Sequence, residues 1–162
     1  MNALLTMRLP TVTDDPVDGS WAICVGGFYE ELASRLVKGA REELERAGVD
    51  GAGIDVFEVP GAFELPLAAL WCAESDAPEY QGVVCLGAVI RGETDHYDFV
   101  CSEAARGIQE VQLRTGTPCG FGVLTVDDME QALERTGGGV RDQGAAAARA
   151  AVAMAGMRRK LG

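Results

Sequence analysis

An α/β fold, with a four-stranded parallel sheet between two layers of helices, is what this sequence predicts. Two observations lead to it. Short apolar runs rich in branched side chains alternate along the chain with segments whose apolar residues recur every three or four positions. One of those runs, GVVCLGAVI at residues 82–90, is apolar almost throughout, the mark of a strand covered on both faces. The 162 residues suffice for one such domain but not for two, and right-handed crossovers would put helices on both sides of the sheet.

Each element has its own signal. The run WAICV from Trp21 reads as the first strand, ended by Gly26 and Gly27. Leu32, Leu36, Ala40 and Leu44 then repeat every four residues and Gly48 supplies a helix stop. IDVFEV, residues 54–59, is the second strand, closed by Pro60 and Gly61. A helix beginning near Pro66 continues through LAALWCAE, since proline is tolerated in a first turn. After the central strand at 82–90 and the polar patch RGETDH comes a helix with Val100, Ala104, Ile108 and Val111 on one face, broken by Gly116 and Pro118. CGFGVLT, residues 119–125, is the fourth strand. Asp127 or Asp128 caps a short helix, MEQALER, and an alanine-rich helix spans about residues 145–160, with Arg158, Arg159 and Lys160 suited to its C-terminal dipole. The first 20 residues, containing TDDPVDGS, read as an extended arm, leaving 21–162 as a single domain.

Composition excludes several classes of function. With 25 acidic against 14 basic residues the formal charge is −11, a field that repels nucleic acid, and no basic stripe overrides it. No apolar run approaches the roughly 20 residues of a membrane span, and the N-terminus lacks the pattern of a secretion signal, so a cytoplasmic protein is expected. The five cysteines never form a C-x-x-C pair and sit mostly in apolar stretches, as reduced core thiols do. With a single histidine, no metal site is expected. The same lack of a second histidine leaves Cys119 without a base, against a cysteine nucleophile.

In open parallel sheets ligands gather beyond the carboxyl ends of the strands, where loops and helix N-termini converge. The loops there are GGFYEE, VPGAFELP and RGETDHYD, each joining glycine to an aromatic, a carboxylate or a histidine. His96 stands at a helix start beside Glu93 and Thr94, where free backbone N–H groups can hold a phosphate, with Arg91 close by in sequence.

The segments VPGAFELP, GAVIRGETDHYDFV, FGVLT and EQALERTG, in this order and at these separations, resemble those of lumazine synthases from about Trp21 to Met157. The resemblance implies a flavodoxin-like domain that condenses 5-amino-6-(D-ribitylamino)uracil with 3,4-dihydroxy-2-butanone 4-phosphate, with loss of phosphate and water, in riboflavin biosynthesis. It implies no metal or cofactor, and self-association into pentamers or larger shells. Phe28 would stack on the pyrimidine, Ala62, Phe63 and Glu64 would line the ribityl chain, and Ala88, Val89 and Ile90 would offer backbone groups to the uracil edge. Gly92, Glu93 and Thr94 match positions at the ketose phosphate. Arg135 would grip that phosphate from a neighbouring subunit, Phe121 would close the ring pocket from the same neighbour, and His96 would move protons near neutrality.

Two positions depart from the family pattern. Tyr29 follows the pocket aromatic where asparagine is common, and Gln143 stands where many members carry lysine. Exchanging a charged for a neutral hydrogen bond costs about 1 kcal/mol, or tenfold or less in affinity. The alternative reading is a family member kept for assembly, or for flavin binding, with weak or no turnover.

Overall fold

The computed structural model describes residues 19–162. The N-terminal arm expected over residues 1–20 lies outside the described residues except for Gly19 and Ser20, and Ser20 already belongs to the first strand.

The chain runs β1 (Ser20–Gly26), α1 (Glu30–Arg46), β2 (Ile54–Val59), α2 (Leu65–Ala73), β3 (Tyr80–Ile90), α3 (His96–Thr115), β4 (Cys119–Val126), α4 (Met129–Glu134) and α5 (Gln143–Leu161). The strands pair in the order β2-β1-β3-β4, all parallel. Alternate residues of β1 feed opposite sides. Trp21, Ile23 and Val25 join Leu32, Leu36 and Leu44 of α1 and the alanine face of α5 in one core, while Ala22 and Cys24 meet Leu65 of α2 and Ala104 and Ile108 of α3 in the other. The result is the three-layer sandwich expected.

Some boundaries move. β3 starts two residues before Gly82, at Tyr80, whose hydroxyl donates to Asp55 on β2 at 2.7 Å. The last helix starts at Gln143 rather than Ala145 because Asp142, almost fully buried, caps it by accepting from the Ala145 N–H at 3.0 Å. Of the two candidate caps for α4, Asp128 is the one used, accepting from the Gln131 N–H at 2.8 Å. α3 ends at Gly116 in the left-handed conformation, φ +71°. Two short 3-10 turns, Gly51–Gly53 and Ala62–Glu64, carry no periodic apolar signal and are not foreseen from the sequence. Among the described residues no helix is long and apolar enough to cross a membrane.

In this strand order α1 leads outward from β1 to β2, and α2 crosses back over β1 to reach β3. The sheet therefore has its switch point between β1 and β3, and a crevice opens at their carboxyl ends.

Candidate active site

A cleft of about 560 Å³ occupies that crevice. Its walls come from the loop after β1 (Phe28, Tyr29), the loop after β2 (residues 60–64), the end of β3 (Ala88, Val89, Ile90) and the first turns of α3 (His96, Phe99, Val100). The loops can meet because β1 ends in glycine: a Cβ on Gly26 would lie 2.9 Å from the Gly61 carbonyl carbon, so any side chain there would push the two walls apart. Phe28 is 75% exposed and packs edge-on against Tyr29, with ring centroids 4.9 Å apart. An aromatic face that open is available for a ligand, not spent on the core.

Two other grooves lie away from this crevice. One of about 320 Å³ runs between α2 and α3, and one of about 710 Å³ lies where α3 and α5 end. Neither is at the strand carboxyl ends, and neither includes the histidine.

The β3–α3 connection joins two walls of the cleft, Ile90 and His96. Gly92, Glu93 and Thr94 are exposed there, and His96 is the first residue of α3. Thr94 Oγ1 lies 3.4 Å from the His96 N–H, a weak contact, and the preceding Asp95 provides no side-chain cap. This contrasts with α4 and α5, whose first turns are held by Asp128 and Asp142. The first turn of α3 thus has no side-chain cap, and the Asp98 N–H turns back to the Asp95 carbonyl at 3.1 Å.

Arg91 stands at the other end of this connection and is not free. Its guanidinium lies 4.3 Å from the centroid of the Tyr97 ring and donates to Asp127 at 3.1 Å, which pushes its pKa further up. Burial pushes the Tyr97 hydroxyl up as well. Among the described residues no cluster of three or more His, Cys, Asp or Glu side chains is arranged to hold a metal.

A model of the 6,7-dimethyl-8-ribityllumazine synthase family matches residues 19–159. The chain belongs to this family. It is also 43% identical over 156 residues to a 6,7-dimethyl-8-ribityllumazine synthase of Syntrophus aciditrophicus (strain SB), an alignment spanning 94% of this chain and all of that protein.

Set against the lumazine synthase pattern, the residues named from sequence divide into two groups. Phe28, Ala62, Phe63, Glu64, Ala88, Val89, Ile90 and His96 line one cleft, while Gly92, Glu93 and Thr94 are exposed on the connection between Ile90 and His96 and are not among its walls. Phe121, Arg135 and Gln143 are not part of that cleft within the chain. Phe121 sits on edge strand β4, 43% exposed. Arg135 caps α4, its guanidinium donating to the Gln131 carbonyl at 3.0 Å. Gln143 opens α5, its backbone N–H bonded to the Arg135 carbonyl at 2.9 Å.

Sequence reasoning passed over Phe99 and Val100 as site residues, yet they line the cleft three and four residues after His96. That spacing, one helical face continuing from the histidine, is the signal that could have found them. Tyr29, noted only as a departure, is also a wall of the cleft.

Proposed function

We propose that this cleft is where the chain performs its family's reaction, condensing 5-amino-6-(D-ribitylamino)uracil with 3,4-dihydroxy-2-butanone 4-phosphate to 6,7-dimethyl-8-ribityllumazine in riboflavin biosynthesis. The observation that carries the proposal is the meeting of an open Phe28 face, the lone His96 and the uncapped start of α3 around one cavity. Phe28 stacks on the pyrimidine, residues 62–64 follow the ribityl chain, and the Glu64 carboxylate accepts from its hydroxyls. Backbone groups of residues 88–90 read the uracil edge. The ketose phosphate sits on residues 92–94 and the first turn of α3.

Amine and ketone then form an imine, phosphate leaves, and the ring closes with loss of water. These steps move protons near neutral pH, which suits the imidazole of His96. Holding the two reactants together supplies much of the acceleration.

In the same reading Arg135, Phe121 and Gln143 complete the cleft of a neighbouring copy. Arg135 forms no ion pair with a carboxylate among the described residues, despite the acidic excess of the chain. A phosphate is the partner such a guanidinium accepts best. Support for a ring of copies comes from two separate apolar surfaces: Phe63, Leu67 and Trp71 on α2 and the turn before it, and Phe121 on edge strand β4. Two unlike patches suit head-to-tail contacts, which close into rings, and a homopentamer or a shell built from pentamers is the assembly proposed. A cytoplasmic site of action belongs to this reading too.

Mixing the purified protein with both substrates and following lumazine absorbance tests the proposal. Steady turnover is expected. Riboflavin quenching without any condensation would instead favour a flavin-binding protein.

A further inference from the structure

Arg35 carries no motif, yet its side chain reaches from α1 to the far end of α4. Its Nε donates to Thr136 Oγ1 at 2.7 Å, and Nη2 lies 3.4 Å from the carbonyls of both Leu133 and Thr136. These acceptors flank Arg135 on either side. Thr136 is nearly buried, and its hydroxyl passes the connection on by donating to the Leu133 carbonyl at 3.1 Å. The carbonyl of Arg135 itself accepts from the Gln143 N–H at 2.9 Å.

Beyond this knot the backbone is permissive. Gly137, Gly138 and Gly139 all have φ near +90° (+86°, +90° and +91°). A Cβ on Gly137 would lie 2.4 Å from Arg35 Nη2, whereas around Gly138 and Gly139 there is open space. α4 has six residues, too few to hold its own shape without outside contacts. Its last carbonyls are acceptors that a cation satisfies well. Arg35 is that cation, and it fixes the backbone from which Arg135 projects, just before the glycine turn whose Gly138 N–H donates to Asp142 at 2.8 Å.

We infer that Arg35 is a positioning residue for phosphate recognition, acting through Arg135. The inference rests on the proposed function, in which Arg135 meets the ketose phosphate. In a ring it means that α1 of one copy sets the phosphate affinity of the next copy's cleft. The physical reason is orientation: a displacement of about 1 Å in a group that must meet a reactant can cost about 100-fold, and a charged side chain on a loose helix end spends its time in many directions.

The test uses the full-length protein carrying Arg35→Met, Arg135→Met and both together. It reads the KM for each substrate, kcat, and inhibition by inorganic phosphate. Arg35→Met is expected to raise the KM for the ketose phosphate and the phosphate inhibition constant about tenfold, while the pyrimidine KM stays within about twofold. In the Arg135→Met background it should add nothing, because the group it positions is gone. Arg35→Lys should recover part of the loss, since an ammonium reaches one carbonyl but cannot fork to the threonine as well.

Equal losses for both substrates, or the same loss again in the Arg135→Met background, would overturn the inference. If Arg35→Met does not fold, Thr136→Val removes the best of the three contacts, and the same two comparisons decide. The two ideas fail separately. Phosphate inhibition unmoved by Arg135→Met would remove Arg135 from the site, whereas a strong Arg135 effect beside a silent Arg35 would refute only the positioning role.

Discussion

The two faces of the sheet differ in how they are covered. On the α1 and α5 side Trp21, Ile23, Leu36, Leu44 and Leu86 are all fully buried by the chain's own helices, and Glu43 pairs with Arg46 and Arg149 to join α1 to α5. The α2 and α3 side is also packed inside, but its outer surface keeps Phe63, Leu67 and Trp71 in solvent, with Trp71 66% exposed. In the proposed function, apolar area of that kind beside the cleft is where another copy packs. The first face is spent on the subunit's own core, and the second, in the proposed reading, also carries contacts between copies.

The sharpest way to break this contrast is to charge the open face. Trp71→Asp is expected to leave a folded monomer by circular dichroism, to shift the sedimentation coefficient to a single chain, and to lower kcat/KM by about 100-fold or more, since the clefts lose their second wall. A variant that stayed fully active as a monomer would place the whole site in one chain.

Next in size are the two halves of the site taken separately. His96→Ala and Arg135→Met should each cost about 100-fold in turnover without loss of fold. Co-assembly of the two variants from a refolded mixture should restore part of the activity, because some interfaces then pair an intact His96 with an intact Arg135. Mixtures no better than their components would count against a shared cleft.

On the closed face the effect should be one of stability alone. Leu36→Ala empties a buried site between α1 and α5 and is expected to cost about 2–5 kcal/mol in urea unfolding, with the assembly state unchanged at low denaturant. A smaller change is expected at the start of α5, where Gln143→Lys should tighten binding of a pyrimidine analogue by about tenfold or less in a calorimetric titration. No gain would remove Gln143 from the pocket.

The least of these effects separates the faces by pH. Cys24, Cys72, Cys85 and Cys119 are all in the α2 and α3 core, and none is in the other. Burial pushes Cys119 up to about 12 from an ordinary 9.0, and lifts Cys85 well above that ordinary value. Between those limits the unfolded chain has released the proton and the folded chain has kept it, so stability falls as pH rises. The urea midpoint should therefore decline from about pH 9 upward, and Cys119→Ala should flatten that decline. An unchanged slope would mean that other groups dominate it.

Most of the fold was legible in advance because it depends on local pattern. The four-residue repeat of Leu32, Leu36, Ala40 and Leu44 and the continuous apolar run at 82–90 each admit one packing, and those residues are buried as expected except Ala88 and Ile90, which are half-buried where the strand reaches the cleft. Turns without periodicity, such as Ala62–Glu64, left no comparable trace. Of the candidate site, the part carried on the loops after β1, β2 and β3 was readable, since strand ends converge by rule. Arg35 was not, because its partners lie about a hundred positions away and a lone arginine has no spacing to betray it.

The amino-acid sequence by itself determined the order of strands and helices, the family, and the residue types around His96, because periodicity and motifs are properties of neighbours along the chain. Only the tertiary structure decided how far Phe28 stands open, that Asp128 and Asp142 cap their helices where Asp95 does not, and that Arg35 fastens the backbone beneath Arg135. Those outcomes depend on which distant segments come within hydrogen-bond reach, and reach in space is set by the packing of the sheet and its helices rather than by position in the chain.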